Sequence, residues 1–95
     1  MIGILTMVSH VVKINNPTGL HLRPAGMFCQ EAMRYKSHIV FRYRESCEAN
    51  AKSVLSILGA CIRPEDEIEI ICEGDDEQEA LDALVALVES GFGEA

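Results

Sequence analysis

Positive charge is scarce in this 95-residue chain: eight lysines and arginines stand against 15 aspartates and glutamates, for a net charge of −7. That balance argues against general binding to nucleic acid or to an anionic membrane. The apolar start Met1 to Met7 has neither a basic n-region nor a small-residue cleavage site, so no secretion signal is expected. It is far too short for the roughly 20 residues of a membrane span. The reading is a cytosolic protein, with Met7 an alternative start and residues 1–6 a disordered or additional N-terminal segment. No Cys-x-x-Cys pair is present, and Cys29, Cys47, Cys61 and Cys72 have no close histidine partner, so no zinc site is indicated. Reduced thiols, buried or half buried among apolar neighbours, are expected. Internal repeats, low-complexity tracts and linkers are missing too, which leaves one domain over 1–95 with one core and no room for a bulky cofactor. No cofactor is expected.

The charge that is present is unevenly placed. Residues 1–50 hold six basic and three acidic side chains, and residues 51–95 hold two basic and twelve acidic, so a basic surface persists on an acidic protein. Ten acids fall between Glu65 and Asp82 without one base. Spread over a turn, a strand and a helix start, they suit a solvated face better than a calcium loop.

Alternation of Val8, His10, Val12 and Ile14 with Ser9, Val11, Lys13 and Asn15 predicts a strand covered on one side. Asn16, Pro17, Thr18 and Gly19 break it with a turn. Ala25, Phe28, Ala32 and Tyr35 then recur at helical spacing. His38 to Tyr43 is β-branched and aromatic enough for a second strand, and Ser46 to Ala49 returns as a short third one after Arg44 and Glu45, although no glycine supports that hairpin. Ala51 to Ala60 reads as a short helix, capped by Ser53 and closed by Gly59. Glu67 to Glu73 alternates as a fourth strand. Leu81, Leu84, Val85 and Val88 mark a final helix, with Asp76 and Glu79 as a capping box and Gly91 as its stop. The expected fold is α+β, a two-layer open-faced sandwich: a mainly antiparallel four-stranded sheet with three helices on one face, in the order βαββαβα.

Chemistry concentrates between Gly19 and Ala25. His21 sits where the turn meets the helix, at the end where free backbone N–H groups and the macrodipole receive an anion. Arg23 adds a fork matched to phosphate oxygens, and Pro24 gives up an N–H in the first turn and stiffens the helix entry. A neutral imidazole is a nucleophile near physiological pH. The dipole contributes ~0.3 to 1 kcal/mol, up to ~2 when partly buried, which steadies a dianion without trapping it. By pattern alone, a histidine there is more often a plain cap or surface residue. His10 and His38 read as strand and pre-strand residues without a role.

These residues, together with Lys52 to Leu55 and Glu73 to Leu81, resemble the histidine-containing phosphocarrier (HPr) family of the bacterial phosphoenolpyruvate-dependent sugar phosphotransferase system, from about Val8 to Val88. The resemblance implies a carrier rather than a turnover enzyme. In it, His21 accepts the phosphoryl group from phosphoenzyme I on Nδ1 and passes it to the IIA domains of sugar permeases. Arg23 stabilises the phosphate, with Thr18, Gly19 and Pro24 in support. It further implies that Ser53 is a regulatory serine phosphorylated by a dedicated serine kinase/phosphorylase, and that a catabolite-control transcription factor is a partner. Leu22, Lys52, Val54, Leu55 and Leu58 would form the partner surface around these sites, on a chain expected to be a monomer. By pattern alone Ser53 is a helix cap and its apolar neighbours are core. Leu22, where the family more often has a small or short polar residue, bears on partner choice. Two alternatives stay open: a regulatory module acting through phosphoserine, whose relatives usually lack the histidine, and a carrier of a parallel nitrogen or dihydroxyacetone phosphotransferase system.

Overall fold

The computed structural model describes residues 7–94, so the expectation for residues 1–6 lies outside it. Strand β1 (Val8–Lys13) is followed by helix α1 (Leu22–Ala32), strands β2 (His38–Tyr43) and β3 (Cys47–Asn50), helix α2 (Val54–Gly59), strand β4 (Glu67–Glu73) and helix α3 (Glu77–Glu89). The sheet order is β1-β4-β2-β3, and all three pairings are antiparallel. Four strands and three helices therefore follow the expected order.

Period-two alternation decides which face is covered. Val12, Ile39, Phe41, Ala49, Ile68, Ile70 and Cys72 are buried, and Phe28, Ala32, Leu84 and Val88 of the helices join them in one core. Phe28 and Phe41 meet edge to face with centroids 5.8 Å apart, linking α1 to the sheet. On the other face Lys13, Arg42 and Glu67 are exposed.

Several local expectations need correction. Asp76 does not form a capping box with Glu79. Its carboxylate instead accepts from the Lys36 and Ser37 N–H groups and from the Ser37 hydroxyl, pinning the α1–β2 connection to the start of α3. Glu77 receives the Gly74 N–H instead. Helix α2 does end at Gly59 as expected, but Gly59 itself is not left-handed. The chain leaves the helix through Ala60 in a helical conformation, and Cys61 takes φ +54°. Two cysteines, Cys47 and Cys61, are exposed rather than covered, while Cys29 is half-buried and Cys72 buried. Gly91 does stop α3, at φ +69° just after the Ser90 cap.

The hairpin without glycine has a physical explanation. Arg44 and Glu45 both adopt positive φ (46° and 70°), a conformation that costs ordinary residues energy. The Arg44 guanidinium offsets that cost by donating to the Ala60 and Cys61 carbonyls at 2.8 Å each, and it lies 5.4 Å from the centre of the Tyr43 ring. One side chain thus holds the hairpin and satisfies two carbonyls just beyond the end of α2.

Candidate functional site

The site begins with the turn between β1 and α1. Gly19 has φ +66°, and a Cβ there would lie 2.5 Å from the Ile62 carbonyl oxygen, so only glycine fits. Leu20 is 3% exposed, and its N–H donates to that same carbonyl at 3.1 Å. The chain is therefore anchored immediately before His21. His21 itself is the N-cap of α1 in extended conformation (φ −75°, ψ −170°), with an exposed side chain that makes no capping bond. Its carbonyl receives the Ala25 N–H at 2.8 Å. The Leu22 and Arg23 amides precede that first helical bond and Pro24 has none, so two N–H groups are left without a helical partner beside the imidazole.

Arg23 is exposed, and its guanidinium donates to the Phe92 carbonyl at 3.4 Å. Pro24 is fully buried and fixes the helix entry. Thr18 is exposed, and its hydroxyl lies 3.0 and 2.9 Å from the two carboxylate oxygens of Glu94. All six residues predicted from the Thr18 to Pro24 segment, Leu22 included, thus gather at one helix end.

Two contributors escaped the sequence reading. Asn16 is 1% exposed, and its Nδ2 donates to Gly19 O and Glu94 Oε1 at 2.9 Å each. Glu94 reaches the site because Phe92 is fully buried and Gly91, Phe92 and Gly93 all have positive φ, which folds the tail back. The Asn16 amide, above all, holds the Glu94 carboxyl below the usual carboxylate range, with help from Thr18 and the charge of Arg23. The available signal was the glycine-flanked Phe92, an aromatic too large to waste on solvent, followed by one acid.

The second group of predicted residues is more mixed. Ser53 caps α2, its hydroxyl accepting the Ser56 N–H at 3.2 Å. Leu55 is 79% exposed, whereas Val54 and Leu58 are half-buried and packed against the core. Lys52 is committed internally, its ammonium donating to the Tyr35 carbonyl at 2.7 Å. Leu22, Arg23 and Val54 line one open groove of about 430 Å³ between α1 and α2 with Met27 and Cys29, so the two sequence segments share a surface. A groove of about 470 Å³ between β1 and α3 reaches none of the candidate residues. Among the described residues no cluster of His, Cys, Asp and Glu could hold a metal ion, and no helix is long and apolar enough to cross a membrane.

The family model described as the PTS HPr component phosphorylation site matches residues 8–90. The HPr-like protein Crh of Halalkalibacterium halodurans is 42% identical over 83 residues, covering 87% of this chain and 98% of that protein. The phosphocarrier protein HPr of Mycoplasma pneumoniae is 37% identical over 78 residues, covering 82% and 89%. Among solved structures, HPr-C-His from Thermoanaerobacter tengcongensis superposes with a TM-score of 0.89 at 40% identity, covering 93% of this chain and 98% of that one. The chain belongs to the HPr family of the phosphotransferase system, a family of phosphocarriers and HPr-like proteins rather than turnover enzymes.

Proposed function

We propose that this protein is a cytoplasmic phosphocarrier in which His21 takes a phosphoryl group from phosphoenzyme I and delivers it to IIA domains of sugar permeases. The observation that carries the reading is the exposed His21 imidazole at the N-cap of α1, free of any capping bond and beside both the Arg23 fork and the unpaired first amides of the helix. The ring's Nδ1 lone pair attacks phosphorus, the donor's P–N bond breaks, and its electron pair returns to the donor imidazole. Discharge to the acceptor histidine reverses these roles. Such a transfer needs alignment and charge stabilisation more than covalent machinery. Arg23 supplies a fork for the phosphoryl oxygens, and the helix end receives the dianion. The open groove between α1 and α2, with Leu22 at its edge, offers apolar surface for the partner that closes over the ring.

The test is incubation with enzyme I and labelled phosphoenolpyruvate. Acid-labile, alkali-stable label on the wild type and none on His21→Ala supports the proposal. Persistent labelling of that variant refutes it.

A regulatory reading has its own support, since Crh, an HPr-like protein, is among the similar relatives and Ser53 Oγ is held at the start of α2 beside the exposed Leu55. Phosphorylation there would add a charge of about −1.5 to −2 next to that apolar side chain and so alter docking. An HPr serine kinase and ATP should label the wild type and not Ser53→Ala. Absence of label on the wild type removes this second function.

A further inference from the structure

We propose that Glu94 is a positioning residue for phosphoryl transfer: its carboxylate clasps Thr18 and Asn16 and so fixes the turn that presents His21. This rests on the reading of His21 as acceptor.

The turn is held from two sides. On one side the Ile62 carbonyl receives the Leu20 N–H and closes off the space beside Gly19. On the other, Glu94 Oε1 accepts from the Thr18 N–H at 3.4 Å and from Asn16 Nδ2 at 2.9 Å, and the single Thr18 hydroxyl proton is shared between both carboxylate oxygens. Bonds to an ionised acceptor are roughly twice as strong as neutral ones. Asn16 makes the arrangement cooperative. Its buried amide bridges Glu94 and the Gly19 carbonyl and approaches the Thr18 hydroxyl at 3.4 Å, while its Oδ1 is buried without a partner. An amide already short of one bond depends heavily on those it keeps.

The tail is built to deliver this carboxylate. Phe92 is wholly buried at φ +55°, its carbonyl receives Arg23, and Gly93 turns the chain so that Glu94 returns to the turn. Loss of the clasp leaves the backbone on which the imidazole rides held from one side only. In-line attack tolerates little displacement, since about 1 Å of misplacement costs on the order of 100-fold.

The experiment measures single-turnover phosphorylation of the full chain by phosphoenzyme I, well below each variant's melting temperature. Glu94→Ala and Thr18→Val should each slow transfer about 5- to 20-fold, a fraction of the full misplacement penalty. The double variant should be no slower than Glu94→Ala alone, because Thr18→Val removes from the clasp only hydroxyl bonds that Glu94→Ala already breaks. Thr18→Ser, which keeps the hydroxyl, should restore the wild-type rate. A merely stabilising contact would lower the melting temperature and leave the rate of the folded protein unchanged. The proposal is overturned by a Glu94→Ala rate within twofold of wild type, or by additive effects of the two substitutions. A wild-type chain that takes no label at all would instead remove the acceptor reading.

Discussion

The Arg23 guanidinium donates to the Phe92 carbonyl across 69 positions of sequence, so the phosphate-binding candidate on α1 is held by the tail that follows α3. The candidate site is therefore assembled from the start of α1 and the segment that follows α3. Phe92 supplies the anchor. Its removal by Phe92→Ala should cost about 3–5 kcal/mol, the range for a buried aromatic, read as a lower midpoint in urea at unchanged slope. Transfer by the remaining folded protein should also slow, because the tail no longer reaches Arg23.

Arg23→Lys keeps the charge and loses the planar fork. Transfer from phosphoenzyme I should fall about 10-fold, the equivalent of losing one charge-assisted hydrogen bond of ~1.5 kcal/mol. The melting temperature should stay within a few degrees, since the side chain is exposed and its contact to Phe92 is long. Labelling kinetics and a thermal melt check both halves.

Ser53→Ala removes the hydroxyl that accepts the Ser56 N–H. The loss of an N-cap costs roughly 0.5–2 kcal/mol, and in a domain of this size each kcal/mol moves the melting temperature by about 4–8 °C. Labelling at His21 should be preserved, which separates the structural role of this serine from the chemistry.

Asp76 and Glu94 both have carboxyl groups held below their usual range, Asp76 first by the Ser37 hydroxyl and Glu94 first by the Asn16 amide. A folded-state pKa below the unfolded one gives stability that is present above the unfolded value, about 4, and lost as pH falls through the folded value. The wild-type melting temperature should drop steeply below pH ~4. Asp76→Asn should be less stable at pH 7 and show a shallower decline in acid, with the part due to Glu94 remaining.

Burial raises the Cys72 thiol to about 11, aided by Glu77 and Asp76. At pH 8 a thiol reagent should modify the exposed Cys47 and Cys61 rapidly and Cys72 only on unfolding. Fast modification of Cys72 in the native protein would contradict its placement in the core.

Periodicity made the strands and helices legible because each has one covered face, and the sheet could then be covered in few ways. The His21 to Pro24 end was legible for a local reason: a turn, an N-cap and the first turn of a helix are consecutive in sequence. What could not be read was long-range. Asp76 looked like a cap for its own helix, but the amides after α1 compete for the same carboxylate and win. Glu94 gave no signal of its own in the sequence. Its partners lie 76 and 78 positions away, and only the burial of Phe92 brings it to them. Nothing in the spacing of Arg44 announces that it grips carbonyls 16 and 17 positions ahead.

Whether His21 carries a phosphoryl group in transit is decided by following label from phosphoenolpyruvate through enzyme I and this chain to an isolated IIA domain, with wild type, His21→Ala and Ser53→Ala compared in parallel. Wild type and Ser53→Ala should deliver label to the IIA domain, and His21→Ala should deliver none. Delivery by His21→Ala, or wild type that takes no label from enzyme I, would contradict the account.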